Sequence, residues 1–290
     1  MLTCEKNIFI TIVLMTMSLL VIVFGRGYAS DQEEKMLRES QNGNSRGDLA
    51  SQKVIADKNV SSDTDTLSSE EQLEIYEEQI ESLSAIERID YQTLVHKPAV
   101  LTYYGDADSS SDWYAALNNY INENTGELTV ENITYPEYDT YELYIEQTTS
   151  NVLAVKPDII LFRMPALADK ARDIGLSETN DYLSNILTTL TDDLPDSEII
   201  LVEPEPEISE INNLNSRSLD YRDYMNEMEE VASELGIQVI AIHEQFITIA
   251  EEEGYELTAL YTEDEFDLNE EGLNVLQQAI ERGVTTKLEE

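Results

Sequence analysis

The sequence predicts an α/β fold: a three-layer, doubly wound, mostly parallel five-stranded sheet, preceded by a transmembrane helix and a flexible stalk. Three observations carry this. From Pro98 onward, five short β-type runs alternate with helical patterns, the signature of strand–helix–strand crossovers. Before them lies a polar, Ser- and Asp-rich stretch from Ser30 to Ser68, and before that an uncharged apolar run from Ile8 to Phe24.

The apolar run, IFITIVLMTMSLLVIVF, is 17 residues long, with Lys6 on one side and Arg26 on the other. That length just spans a hydrocarbon core as a helix. A cleaved signal peptide is the competing reading, with Gly27-Tyr28-Ala29 as a small-x-small site, although the run exceeds the usual signal core of roughly 7 to 15 residues. The expectation is an anchor or signal over 1–29. On either reading the remainder lies outside the cytoplasm, secreted or held at the membrane by this helix.

From Ser30 to Ser68 the apolar residues are single and scattered, too few to bury a face. This stalk, 30–68, has a root-mean-square span of about 35 Å if flexible. It holds two short matches, Gly43-Asn44-Ser45-Arg46-Gly47, which fits a G-x-S-x-G elbow, and the Arg46-Gly47-Asp48 tripeptide. No strand precedes Gly43 to form the elbow, so both are chance matches. Ser69 to Arg88 starts with Ser69, Glu70, Glu71 and Gln72 and repeats apolar residues at Leu73, Tyr76, Ile80 and Leu83, which predicts an amphipathic helix. With fewer than three heptads it packs on the following domain rather than on another chain, giving a helical segment over 69–94 and a globular domain over 95–290.

Within that domain, strands are predicted at Ala99 to Tyr104, Leu128 to Tyr135, Ile159 to Arg163, Glu198 to Glu203 and Gln238 to Ile242. Ile159 to Arg163 is nearly continuous in apolar residues, as in a buried parallel strand. Helices are predicted at Trp113 to Asn122, Tyr141 to Val155, Thr179 to Leu190, Leu219 to Leu235 and Asn269 to Arg282. Glu203 to Glu210 (EPEPEISE) reads as an extended, solvated loop, because Pro204 and Pro206 block a helix. Glu227 to Glu230 and Glu251 to Glu253 read as solvated helix faces.

Charge narrows the function. Over 290 residues there are 60 Asp+Glu against 17 Lys+Arg, a net charge of −43, and residues 1–26 contribute none of the excess. Nucleic acid is excluded as a partner, because binding to phosphates needs clustered Lys and Arg. A single cysteine, Cys4, excludes an internal disulfide framework and a multi-cysteine zinc site, and no disulfide-linked partner is expected.

The ends of the predicted strands carry the chemistry. The first ends in Tyr104-Gly105-Asp106-Ala107 and leads to a helix with Trp113; Lys156-Pro157-Asp158-Ile159-Ile160-Leu161-Phe162 forms the third, followed by Pro165-Ala166-Leu167-Ala168; near the C-terminus stands Asp264-Glu265-Phe266-Asp267-Leu268-Asn269-Glu270-Glu271-Gly272. Over Pro98 to Leu288 this order of blocks resembles the SGNH, or GDSL-type, hydrolases, a family of secreted serine esterases and acyl hydrolases. The resemblance implies a flavodoxin-like sheet. It also implies a nucleophilic serine, an oxyanion-hole glycine and asparagine, and an acid and histidine base. The corresponding positions here hold Ala107, Tyr138, Leu167, Asp264 and Asp267.

Acyl transfer needs a hydroxyl nucleophile, a base within reach and donors aimed at the oxyanion, and alanine and leucine side chains supply none of these. The expectation is therefore a degenerate member, a cell-envelope binding or accessory module. The alternative is an active secreted carboxylic-ester hydrolase, such as a carbohydrate O-acetyl esterase, with a relocated nucleophile at Ser109, Ser110 or Ser111. Its base would be His243, which follows the last strand, since His96 precedes the first. The ligand class implied by the resemblance is a wall or capsule glycan. Tyr135, Tyr138, Tyr141 and Tyr144 form a second glycan-facing candidate, with core packing as the competing role.

No cofactor is expected. Asp106, Asp108, Ser110 and Asp112 do alternate as in the first half of a calcium loop, which suggests calcium or magnesium. The sixth position is Ser111 instead of glycine and the twelfth is Leu117 instead of glutamate, so a solvated loop is the competing reading.

Overall fold

The computed structural model describes residues 68–262 and 267–287. The expected anchor and stalk lie outside these residues, and among the described residues no helix is long and apolar enough to cross a membrane.

Five strands form one parallel sheet: β1 (Ala99–Gly105), β2 (Leu128–Thr134), β3 (Ile159–Arg163), β4 (Glu198–Val202) and β5 (Gln238–Ile240). Their order is β2-β1-β3-β4-β5, so the chain steps outward from β1 to β2 and then crosses back to β3. That reversal opens a crevice at the carboxyl ends of β1 and β3. The register places Gly105 beside Arg163 and Arg163 beside Val202, which aligns the ends of the three central strands.

Side chains alternate strictly across this sheet, as the two-residue period requires. Leu101 and Tyr103, Ile159 and Leu161, and Ile200 and Val202 face one core; Tyr104, Ile160, Phe162, Ile199 and Leu201 face the other. The first core is closed by α1 (Ser69–Glu78) through α2 (Ala85–Val95), by α3 (Asp112–Asn124), and by α9 (Ile242–Glu253) and α10 (Glu270–Thr285). The second is closed by α4 (Thr140–Ile145), α5 (Thr149–Val155), α6 (Ala166–Arg172), α7 (Leu176–Asp193) and α8 (Tyr221–Leu235).

Four expectations are corrected. The predicted helix over Ser69 to Arg88 is two helices with a short 3-10 turn at Ile80–Ser82 between them. The break is a restart, because Glu87 Oε2 accepts hydrogen bonds from the backbone N–H and hydroxyl of Ser84 and so caps α2. The helix over Tyr141 to Val155 is likewise split: Thr148 donates from its hydroxyl to the Leu143 carbonyl, and Gln147 adopts φ +52°. The last strand stops at Ile240, and α9 begins at Ile242. Its N-terminus is capped from outside, as Glu203 Oε2 accepts from the N–H groups of His243 and Glu244.

That bond also overturns the solvated loop expected at Glu203 to Glu210. Glu203, Pro204 and Pro206 are buried, the Pro206 carbonyl accepts from the Tyr261 hydroxyl, and Glu205 pairs with Arg163. Pro204 and Pro206 exclude a helix as expected, but they steer the chain inward across the strand ends.

Candidate functional site

The crevice is built from the ends of β1 and β3. Gly105 ends β1 at φ +90°, and a Cβ there would lie 2.4 Å from the Phe162 ring and 2.5 Å from the Arg163 carbonyl oxygen. Only glycine permits this turn. It delivers Asp106, whose Oδ1 accepts from the Glu137 N–H at 2.7 Å. Burial pushes the Asp106 carboxyl up, against the opposing pull of the Glu137 N–H and the Arg163 charge.

Ala107 follows, 1% exposed, with its methyl packed in the first core beside Trp113 and its N–H donating to the Gly105 carbonyl. The next residues fold on themselves. Asp108 Oδ1 accepts from both the N–H and the hydroxyl of Ser110 at 2.8 Å, and Ser111 donates to the Asp108 carbonyl at 2.7 Å. Ser109 is exposed.

The three aspartates of the calcium-loop pattern have separate surroundings. Asp106 is turned to the backbone of Glu137, Asp108 is held by Ser110, and Asp112 is exposed at the start of α3. Among the described residues, no group of three or more acidic, histidine or cysteine side chains converges to hold a metal ion.

Arg163 occupies the floor between β1 and β4. Its guanidinium carbon lies 4.0 Å from the centroid of the Trp113 ring, Nη2 donates to Glu205 Oε2 at 2.7 Å, and the buried Nη1 has no hydrogen-bond partner. Sequence reasoning missed this residue. The one available signal is a lone arginine ending an apolar strand, IILFR, where a charge needs a buried partner to be tolerated.

The remaining family-equivalent positions that the structure describes each have their own local surroundings. Tyr138 is half-buried beyond the end of β2 and donates from its hydroxyl to Glu146 Oε2 at 3.2 Å. Leu167 is half-buried on α6. Asp267 is exposed and its carbonyl accepts from the Thr262 N–H, whereas Asp264 lies outside the described residues. Asn269 caps α10 by accepting from the Gly272 N–H, and its amide donates to the carbonyls of Ala259 and Tyr261.

Both histidines are engaged elsewhere. His96, after α2, lies 3.4 Å from Asp158 Oδ1. His243 is buried at the start of α9 with Nε2 2.9 Å from the Tyr221 hydroxyl, and burial holds its imidazole down at about 4, so the ring is neutral. It follows β5, three strands from β1 in the sheet order, and at about 4.8 Å per strand the two strands are about 14 Å apart. No hydrogen bond joins His243 to Ser109, Ser110 or Ser111 among the described residues.

Of the tyrosines, Tyr135 and Tyr138 pack against each other at 5.3 Å between ring centroids, and Tyr144 stacks on Tyr182 at 5.4 Å. Tyr141 lies beneath the Arg172 guanidinium, 4.6 Å from its carbon to the ring centroid.

No protein-family model matches the chain, and no curated protein matches it. Solved structures do. A catalytic mutant of the acetylxylan esterase Axe2 from Geobacillus stearothermophilus has a TM-score of 0.50 at 15% identity, over 64% of this chain and 94% of that one. A GDSL-like lipase from Parabacteroides merdae has a TM-score of 0.49 at 11% identity, over 65% of this chain and 96% of that one. With the 2-1-3-4-5 parallel sheet and its crevice at β1 and β3, the chain has the SGNH/GDSL-hydrolase fold.

Proposed function

We propose that this chain is a catalytically degenerate SGNH-fold protein that acts as a cell-envelope binding or accessory module, tethered outside the membrane by its N-terminal apolar segment. One observation carries the reading: the residue that follows Asp106 at the end of β1 is Ala107, whose methyl is buried in the core. A methyl group cannot attack a carbonyl. The neutral His243 that would have to serve a displaced serine is bonded to Tyr221 about three strand spacings away. Asp267, at the family's base position, is exposed and carries a carboxylate where the resemblance implies an imidazole.

A glycan is the ligand class this reading favours, since the structural neighbour named above is an acetylxylan esterase. The test is turnover of aryl acetate esters by the purified full chain. The expected rate is that of buffer alone. Substantial turnover abolished by a serine-directed phosphonate overturns the reading, and loss of that turnover in His243→Gln then assigns a relocated Ser–His pair.

A further inference from the structure

A cavity of about 340 Å³ opens between α4, α5 and α7, and it shares no lining residue with the β1 crevice. Its volume falls within the usual range of ligand sites, roughly 300 to 1,000 Å³. The buried side chains of Leu143 and Ile186 form the floor. One wall is Tyr144, which is 41% exposed. The Tyr182 ring, which does not line the cavity, stacks on Tyr144 at 5.4 Å between centroids and 27° between planes, so Tyr144 is held from one side and its other face is left to the cavity. Gln147, Ser150 and Asn185 complete the mouth. The side chains of Gln147 and Ser150 make no hydrogen bond among the described residues, and Asn185 donates from its amide to the Asp181 carbonyl while its Oδ1 accepts nothing.

The turn that carries Gln147 is fixed from beneath. Gln147 holds φ +52°, a left-handed backbone that disfavours a residue with a side chain. Thr148, next in the chain and buried, locks that turn: its hydroxyl donates to the Leu143 carbonyl at 2.9 Å and lies 2.7 Å from the Tyr104 hydroxyl on β1. Backbone strain of this kind persists where the surroundings over-determine it, and it gathers at binding sites. The amide of Gln147 is thus presented at the cavity mouth from a backbone already in place, which lowers the cost of ordering it around a ligand.

The lining narrows the ligand by elimination. No charged side chain lines the cavity, in a chain of which 27% of the residues are charged, so neither an anion nor a cation finds a counter-charge there. A wholly apolar ligand would cover Gln147, Ser150 and Asn185 without bonding them. A sugar ring satisfies both halves of the site, because its C–H face packs on an aromatic ring while the hydroxyls at its edge donate and accept. We propose that this cavity binds a pyranose unit of a neutral oligosaccharide, with the sugar's C–H face on Tyr144 and its hydroxyls bonded to Gln147, Ser150 and Asn185. Such a site rests on the glycan-binding reading for its ligand class and gives that binding a location outside the crevice, so it holds whether or not the crevice hydrolyses esters.

Calorimetry of the full chain tests it with three neutral trisaccharides, xylotriose, cellotriose and N-acetylated chitotriose. Sorbitol serves as a polyol without a ring face, and trigalacturonate as a charged sugar. Expected are saturable binding of at least one neutral trisaccharide, sorbitol and trigalacturonate weaker by about tenfold or more, and a loss of about tenfold or more in Tyr144→Ala. Tyr144→Phe keeps the ring face and so keeps the affinity within about twofold, whereas Gln147→Ala and Asn185→Ala each lose about threefold to tenfold. Tyr144 and Gln147 are exposed, so these variants leave the core intact, which an unchanged urea midpoint verifies. Trisaccharide binding that is unchanged in Tyr144→Ala overturns this site and leaves glycan binding elsewhere on the chain standing. A loss in Tyr144→Phe as large as that in Tyr144→Ala also overturns it, since the ring face would then not be the contact. The absence of binding by all three trisaccharides overturns both this site and the glycan class.

Discussion

Arg163 lies over the ring of Trp113, its guanidinium carbon 4.0 Å from the ring centroid, at the point of the sheet where the fold opens its crevice. The charge is buried there and is compensated by Glu205 at 2.7 Å and by Asp106, which its field stabilises. Arg163→Met removes the cation and leaves two carboxylates facing each other. The expected loss is about 2 to 3 kcal/mol in urea denaturation, below the range for a fully buried pair because Glu205 keeps 30% side-chain exposure. Arg163→Lys restores the charge without the guanidinium over the Trp113 ring, and recovers only part of that loss.

Gly105 sets the direction in which Asp106 and Ala107 leave β1. Its φ is +90°, and an added Cβ would come within 2.4 Å of the Phe162 ring and 2.5 Å of the Arg163 carbonyl, which leaves no room for a side chain. Gly105→Ala is expected to cost about 3 kcal/mol or more, with strain and overpacking adding, and to appear as a lowered urea midpoint at unchanged slope. Gly236→Ala is the control: it also has positive φ but nothing within 4 Å, so it carries only the backbone cost, about 1 kcal/mol.

The strands are legible in the sequence because their burial is local: Ile159 to Arg163 is an apolar run and it is β3, residue for residue. The helix breaks are harder to read, since Ser84 and Thr148 stop or restart helices through hydrogen bonds that an apolar stripe does not encode. Glu203 to Pro206 misleads for a deeper reason. Its charge and prolines describe a surface loop, while its burial is imposed by groups 40 or more residues away: the N-terminus of α9, Arg163 and the Tyr261 hydroxyl. The same non-locality hides the site. Ala107 can be found because it follows Gly105 and Asp106 in sequence, whereas Arg163 enters the crevice through sheet register.

Ala107→Ser tests how far the crevice is from chemistry. The new hydroxyl would stand in a pocket of apolar core beside Trp113, with no histidine near: His243 is bonded to Tyr221 and His96 to Asp158. The expected outcome is a folded protein, destabilised by about 1 to 2 kcal/mol for burying a hydroxyl, with aryl acetate turnover no greater than that of the starting chain. A burst of acyl-enzyme on mixing with substrate, with the added acyl mass located on the introduced hydroxyl by peptide mass spectrometry, is the measurement that contradicts it.

His243 makes stability depend on pH with a definite sign. Burial lowers its folded-state value to about 4, whereas in the unfolded chain the imidazole titrates near 6.5. Between those values the unfolded chain binds a proton that the folded chain refuses, so stability from this residue is complete above about pH 6.5 and is lost as the pH falls toward 4. The shift is worth roughly 3 kcal/mol across the window. Glu203 acts in the opposite sense: its folded-state value is raised, so the folded chain holds a proton that the unfolded chain releases, and its contribution is lost as the pH rises above the ordinary glutamate range. The two slopes offset each other between about pH 4.5 and 6.5. His243→Gln removes one of them, so its stability, followed by urea denaturation across that range, is expected to decline more steeply with rising pH than that of the starting chain, in which the buried Asp169 carboxyl, pushed up to about 6, slopes the same way as Glu203. A variant whose profile parallels that of the starting chain would mean that burial does not hold the His243 imidazole down.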